Sequence, residues 1–537
     1  MKLSYQGIQE RAAWERAGVA LPRFDWEAMQ ARTQKEPIWL HFGAGNLFRG
    51  YIAALQNDLL NQGLADRGIV AADTFDFDIL DKVYTPFDNM TLMVSLLPDG
   101  VFQKEVIASV AQGLRAGDAF PADMEALRAV FRSPSLQLVS FTITEKGYAL
   151  QNLQGEFLPA VQADLERGPN RCTHTMSLAA ALLLERFRAG GTPVAMVSMD
   201  NCSHNGERLR TGVLTVAKQW QRRGHVPDAF CAWLQDETQV SFPWTMIDKI
   251  TPRPAKAVEE ALAGAGIEDM APIVTGRNTF IAPFVNAEKP QYLVVEDRFP
   301  NGRPPLERAG VYLTDRDTVN KTERMKVNTC LNPLHTALAV FGCLLGYISI
   351  AAEMADPELR SLVENLGCRE GLPVVADPGI LSPERFLREV LDKRLPNPFL
   401  PDTPQRIATD TSQKMAVRFG QTIQSYLARP DLDPAGLTCV PLTIAGWLRY
   451  LLAVDDSGAA MECSRDPMLP ALQARLAGVE LGRPETAPDQ VLAPILSNAV
   501  LFGVDLRRAG LAEKIGNMLR EMLAGPGAVR ATLKRYR

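Results

Sequence analysis

The sequence predicts an α/β protein with a mostly parallel sheet in its N-terminal domain and a mainly α-helical C-terminal domain. Three observations carry this expectation. Short apolar runs alternate with helical stretches through the first half of the chain. The first apolar run stops at a glycine turn that opens a helix. Beyond about residue 290 the strand-like runs cease and helical stretches follow one another.

Residues 1–36 are polar and helix-like. The run Ile38-Trp39-Leu40-His41-Phe42 then reads as a strand and ends at Gly43-Ala44-Gly45. A helical pattern over 51–60 follows, and a second strand-like run, 68–72, ends at Asp73. Strand, glycine turn, helix, strand and acid is the order of a mononucleotide-binding βαβ unit, so the N-terminal domain is expected to be Rossmann-like. Further strands are expected over 91–97, 136–144 and 193–199, with helices over 122–131, 175–189 and 206–223. A turn-rich stretch, 296–305, leads into helices expected over 335–355, 356–367, 383–394, 412–428, 440–454, 489–504 and 508–523. The domains are placed at 1–290 and 291–537.

Composition excludes several classes. The 537 residues are 46% hydrophobic and 22% charged, the ordinary globular balance. This rules out disorder, collagen or coiled coil as the main architecture. The 57 basic and 62 acidic residues leave a net charge of −5, which argues against a nucleic-acid partner. Eight cysteines without a C-x-x-C pair suggest free thiols in a reducing compartment. No apolar leader stands at the N-terminus. The most apolar run, 337–352, is shorter than the ~20 residues needed to span a bilayer. A cytoplasmic protein without a membrane partner is expected. Monomer and homodimer both stay open.

Four segments carry candidate chemistry. Gly43-Ala44-Gly45-Asn46-Leu47-Phe48-Arg49-Gly50 is either a phosphate-binding turn or a plain tight βα turn; its third glycine is displaced from G-x-G-x-x-G. Asp73 either accepts from an adenosine ribose, favouring NAD over NADP, or opens a solvated loop. In Asp200-Asn201-Cys202-Ser203-His204-Asn205-Gly206, Asn201 offers a carboxamide to a substrate oxygen, or the segment is turn and cap chemistry. In 323–335, Glu323 and Lys326 share a helix face, as do Asn332 and His335. Pro333 sits badly inside a helix, so either Asn332 is an N-cap or a bulge lies there. The five histidines show no metal-binding spacing, so no metal is expected.

These motifs, with Thr142-Ile143-Thr144-Glu145-Lys146-Gly147-Tyr148, 242–252, Val295-Glu296-Asp297 and Asp410-Thr411-Ser412-Gln413-Lys414, resemble in order the polyol-specific long-chain dehydrogenases, the mannitol dehydrogenase family. The resemblance covers roughly 37 to 450. It implies an NAD cofactor, with Gly43, Gly45, Asn46, Leu47, Phe48, Arg49, Asp73, Thr144, Glu145 and Lys146 as cofactor-binding positions. By the same resemblance Lys326 is the catalytic general acid/base, and Asn201 and Asn332 hydrogen-bond the reacting oxygen. His335 binds substrate, Glu323 links to proton exchange, and Asp248 and Arg394 lie at the substrate; Arg406 and Lys414 are further candidate cations. A free lysine titrates near ~10.4, so burial is expected to lower Lys326 against the opposing charge of Glu323.

Three departures from the family pattern stand out. Lys326 to Asn332 spans six residues where the family has five. Ile247-Asp248-Lys249 replaces Val-Asp-Arg. Asn46-Leu47 replaces a bulkier pattern in the glycine turn. The variant at 329–335 is more like the branch that acts on hexuronates. That branch implies interconversion of D-fructuronate and D-mannonate by hydride transfer. The alternatives are tagaturonate or mannitol as substrate, or, remotely, a non-catalytic NAD-binding sensor.

Overall fold

A computed structural model of the chain describes residues 1–152 and 154–537. These fall into two compact units, 1–320 and 321–537.

The first unit is built on a six-stranded sheet. Its strands are β1 (Trp39–Phe42), β2 (Ile69–Asp73), β3 (Val110–Arg115), β4 (Leu138–Phe141), β5 (Val194–Ser198) and β6 (Val240–Ser241). Their order across the sheet is 3-2-1-4-5-6, and every pairing is parallel. This is the doubly wound order, with its switch point between β1 and β4. The strands read as unbroken apolar runs because both faces are buried. Leu40, Phe42, Val139 and Phe141 feed one core with α1 (Thr175–Arg188) and α2 (Asn205–Arg222). Trp39, Leu138, Ala195 and Val197 feed the other, with the helix that follows the glycine turn.

The strand expected over 91–97 forms, as Thr91–Leu96, but outside this sheet. It pairs antiparallel with Phe102–Ile107 and parallel with Phe284–Glu288. A three-stranded sheet joins Thr245–Asp248, Tyr292–Glu296 and Tyr312–Thr314. That sheet explains why the units divide at 320/321 and not at the expected 290/291. Backbone pairing holds 292–314 in the first unit, a constraint that a change in composition does not reveal.

The second unit, apart from isolated bridges, is helical. Its central helices are α3 (Asn332–Leu345), α4 (Cys439–Tyr450) and α5 (Ala512–Met522), with α4 packed on both others. The helix expected over 335–355 breaks after Leu345. Gly346 takes a left-handed φ of +75° as its C-cap, and Ser349 caps a new helix at Ile350. No helix of the described residues is long and apolar enough to cross a membrane.

Candidate active site

The glycine turn sits at the carboxyl end of β1, beside the switch point. Gly43 has φ +104°, and a Cβ there would lie 2.1 Å from the Thr142 carbonyl oxygen. Its N–H donates to the Ala72 carbonyl at the end of β2 (2.8 Å). The Ala44 N–H donates to the Asp73 carboxylate (3.0 Å), and the Tyr84 hydroxyl donates to the Ala44 carbonyl (3.0 Å). A helix begins at Asn46. Its first amides lack intrahelical acceptors, the usual setting for a bound anion. At Gly45 an added Cβ would meet no atom within 4 Å. Asn46 Oδ1 is buried and accepts no hydrogen bond among the described residues. Bare backbone and a spare buried acceptor fit a dinucleotide's pyrophosphate and ribose.

Asp73 is buried, not the start of a solvated loop. Its carboxylate also accepts from the N–H groups of Phe75 (2.8 Å) and Asp76 (2.9 Å). Burial raises its pKa, and these three bonds oppose the rise. Asp73 therefore ties the end of β2 to the glycine turn. Phe48 and Arg49, expected among the cofactor-binding positions, bury their side chains in the core, at 0% and 1% exposure. Arg49 donates to Thr91 Oγ1 (3.0 Å) and the Ala282 carbonyl (2.7 Å). A helix start must bury one face, and these two residues supply it.

The ends of β4 and β5 are tied together by Asp200. Its carboxylate accepts from the N–H groups of Ile143 and Thr144 (both 2.9 Å) and from the Tyr148 hydroxyl (2.6 Å). Thr144 is held at φ +63°, which is unusual for a β-branched residue. Glu145 and Lys146 are exposed, and Glu145 pairs with Arg208 (3.0 Å). Asn201 follows Asp200 at the surface of β5's carboxyl end. Asn205 is a structural clasp: its side chain donates to the Asp200 carbonyl (3.0 Å) and accepts from the Thr245 N–H (3.0 Å). That clasp anchors the strand ending in Asp248. The Asp248 charge adds to burial in pushing the Tyr51 hydroxyl well above its usual pKa.

In the second unit Lys326 is buried, at 2% exposure, in a wide π-type turn, Met325–Cys330. The bulge expected near Pro333 is this turn. Asn332 is therefore the first residue of α3 and not its N-cap; Pro333, next in the first turn, forfeits no helical bond. Glu323 lies one turn before Lys326 on the helix Arg316–Arg324. His335 lies on α3, 3.9 Å from Asp402. Burial lowers its pKa to about 4, and Arg418, Arg394 and Arg406 act in the same direction against Asp402. Arg394 is 3% exposed at the end of a second wide turn, Val390–Arg394. Arg418 donates to Thr336 Oγ1, and Arg406 pairs with Asp402. Lys414 donates to the carbonyls of Ile407 and Thr409, and burial lowers it to about 8. The second unit thus surrounds a neutral imidazole with cations. In the sequence, the signal for Asp402 and Arg418 is their four-residue spacing from the candidate cations Arg406 and Lys414, a helical spacing.

The first unit carries a glycine turn at the switch point of a doubly wound sheet, and the helical second unit carries a buried lysine, the parts of a two-domain dehydrogenase. The mannitol dehydrogenase Rossmann domain matches residues 37–308, and the mannitol dehydrogenase C-terminal domain matches 318–523. The chain belongs to the mannitol dehydrogenase family. It is 52% identical over 536 residues to a D-mannonate oxidoreductase of Thermotoga maritima, covering 99% of this chain and 98% of that one. A substrate-free D-sorbitol dehydrogenase structure matches with TM-score 0.79 and 26% identity, over 96% of this chain and 98% of its own. A Pseudomonas fluorescens mannitol 2-dehydrogenase, solved as a ternary complex with NAD and D-mannitol, matches with TM-score 0.71 and 25% identity, over 100% and 99%.

Proposed function

We propose that this chain is an NAD-dependent oxidoreductase that interconverts D-mannonate and D-fructuronate. The observation that carries the reading is its 52% identity to a D-mannonate oxidoreductase across nearly the whole of both chains. The cations around His335 support it, because a hexuronate brings a carboxylate that a neutral polyol lacks. Eight free cysteines support action in a reducing compartment such as the cytoplasm.

NAD, when bound, supplies the hydride acceptor or, reduced, the donor. Gly45, Asn46 and the first amides of the helix would hold its phosphates, with Asp73 fixing their backbone. Asn201 and Asn332 would donate to the substrate oxygen as it gathers charge. Lys326 would supply the proton in reduction and remove it in oxidation, with Glu323 linking it to solvent. Burial lowers the His335 pKa to about 4, so the neighbouring cations are better partners for the substrate carboxylate, and Arg394 is the one proposed.

The test is loss of NADH absorbance with D-fructuronate, D-tagaturonate and D-fructose in parallel. A clear preference for fructuronate is expected. Preference for either of the others moves the substrate assignment, and no loss with any of them overturns it.

A further inference from the structure

Beneath the glycine turn lies a buried hydrogen-bond chain that the chemistry above does not use. Trp39 Nε1 donates to Ser140 Oγ at 2.7 Å. Ser140 Oγ lies 2.6 Å from His41 Nδ1, and His41 Nε2 lies 2.8 Å from Thr142 Oγ1. Thr142 Oγ1 in turn donates to the Gly43 carbonyl at 3.2 Å. Trp39, His41 and Ser140 are all fully buried.

The direction of this chain follows from its last member. A carbonyl can only accept, so the Thr142 proton goes to Gly43. Thr142 therefore accepts from His41 Nε2, which carries the imidazole proton. In the neutral ring Nδ1 is then an acceptor and takes the Ser140 proton, while Ser140 accepts from Trp39. Each donor has one acceptor, and all point toward the turn. Protonating His41 would break the sequence, and burial holds the ring neutral by lowering its pKa to about 3. Phe48 stacks on the ring at 4.1 Å and 11°, fixing its plane.

We propose that His41 is a positioning residue for the cofactor: through Thr142 it fixes the Gly43 peptide, and so the amides of the glycine turn. Gly43 needs this restraint most, since glycine has the widest choice of φ and ψ. Its N–H is already held by β2, so locking the carbonyl fixes both ends of the residue. The inference rests on the NAD reading above.

The experiment uses the full chain with Thr142→Val and His41→Phe, which keep shape but remove the relay. NADH Kd is measured by fluorescence titration, alongside KM for NADH, kcat at saturating NADH, and Tm. Each substitution is expected to raise Kd and KM about tenfold, while kcat changes less than Kd. Thr142→Ser keeps the hydroxyl and restores the wild-type Kd. The double variant loses no more than either single one, because both cut the same chain. If His41→Phe does not fold, Thr142→Val carries the test. Wild-type Kd in a folded Thr142→Val protein overturns the inference alone. A wild-type chain that does not bind NADH overturns the cofactor reading and the inference with it.

Discussion

The Leu331 N–H donates to the Lys326 carbonyl at 3.1 Å, five residues back along the chain. A turn closed this way holds one residue more than an α-helical turn. It lies within the Lys326–Asn332 spacing and ends where α3 begins. Such wide turns recur at functional sites, and here one carries the only buried lysine among the described residues.

If Lys326 is the general acid and base, Lys326→Ala lowers kcat by ~10²–10⁴. The Tm and the NADH Kd should stay close to wild type. Stopped-flow and steady-state NADH absorbance measure the first, calorimetry and titration the others. Unchanged turnover would sink the assignment.

Arg394 gives a prediction about recognition. Removing one partner of a buried charge pair costs about 2–5 kcal/mol. Arg394→Ala should therefore raise KM for D-fructuronate by at least about thirtyfold, at 1.4 kcal/mol per tenfold. NADH Kd should not move. Arg394→Lys keeps the charge but loses the planar fork, and recovers only part of the loss. A KM that ignores both substitutions places the carboxylate elsewhere.

Much of this architecture is legible in the sequence. The runs 38–42 and 68–72 are apolar throughout because doubly covered parallel strands leave no face for polar residues. Asp200 and Asn205 stand out as members of a polar cluster. Their use as a clasp was not legible, because it depends on Thr245, forty residues from Asn205. Likewise His41 lies in the first strand-like run, but Ser140 and Thr142 become its partners only through the β1–β4 register. The wide turns at 325–330 and 390–394 leave no periodic signature, since a single extra residue shifts the helical pattern without ending it.

Arg186 illustrates a buried charge with a structural task. Its five N–H donors reach five backbone carbonyls: Thr192 (2.6 Å), Phe131 and Ser133 (both 2.8 Å), and Leu136 and Pro193 (both 2.9 Å). These close the loops that lead into β4 and β5. Lysine has only three donors and cannot span the fork. Arg186→Lys should cost roughly 3–5 kcal/mol by leaving buried carbonyls unmet. Denaturant unfolding measures it, and a change under 1 kcal/mol would show that water replaces the lost bonds at little cost.

Glu353 gives the fold a dependence on pH. It is fully buried, and neither carboxyl oxygen has a hydrogen-bond partner among the described residues. Burial, with Asp356 adding to it, raises its pKa from 4.5 to about 9. Between those values the folded chain holds a proton that the unfolded chain has released. Stability contributed by this group is therefore full below pH 4.5 and declines as pH rises toward 9. The slope approaches about 1.4 kcal/mol per pH unit in that window. Glu353→Gln keeps the shape without the titration, so its Tm should fall less than the wild type's between pH 6 and 8. Parallel slopes for the two proteins would show that the carboxyl is already ionised in the fold.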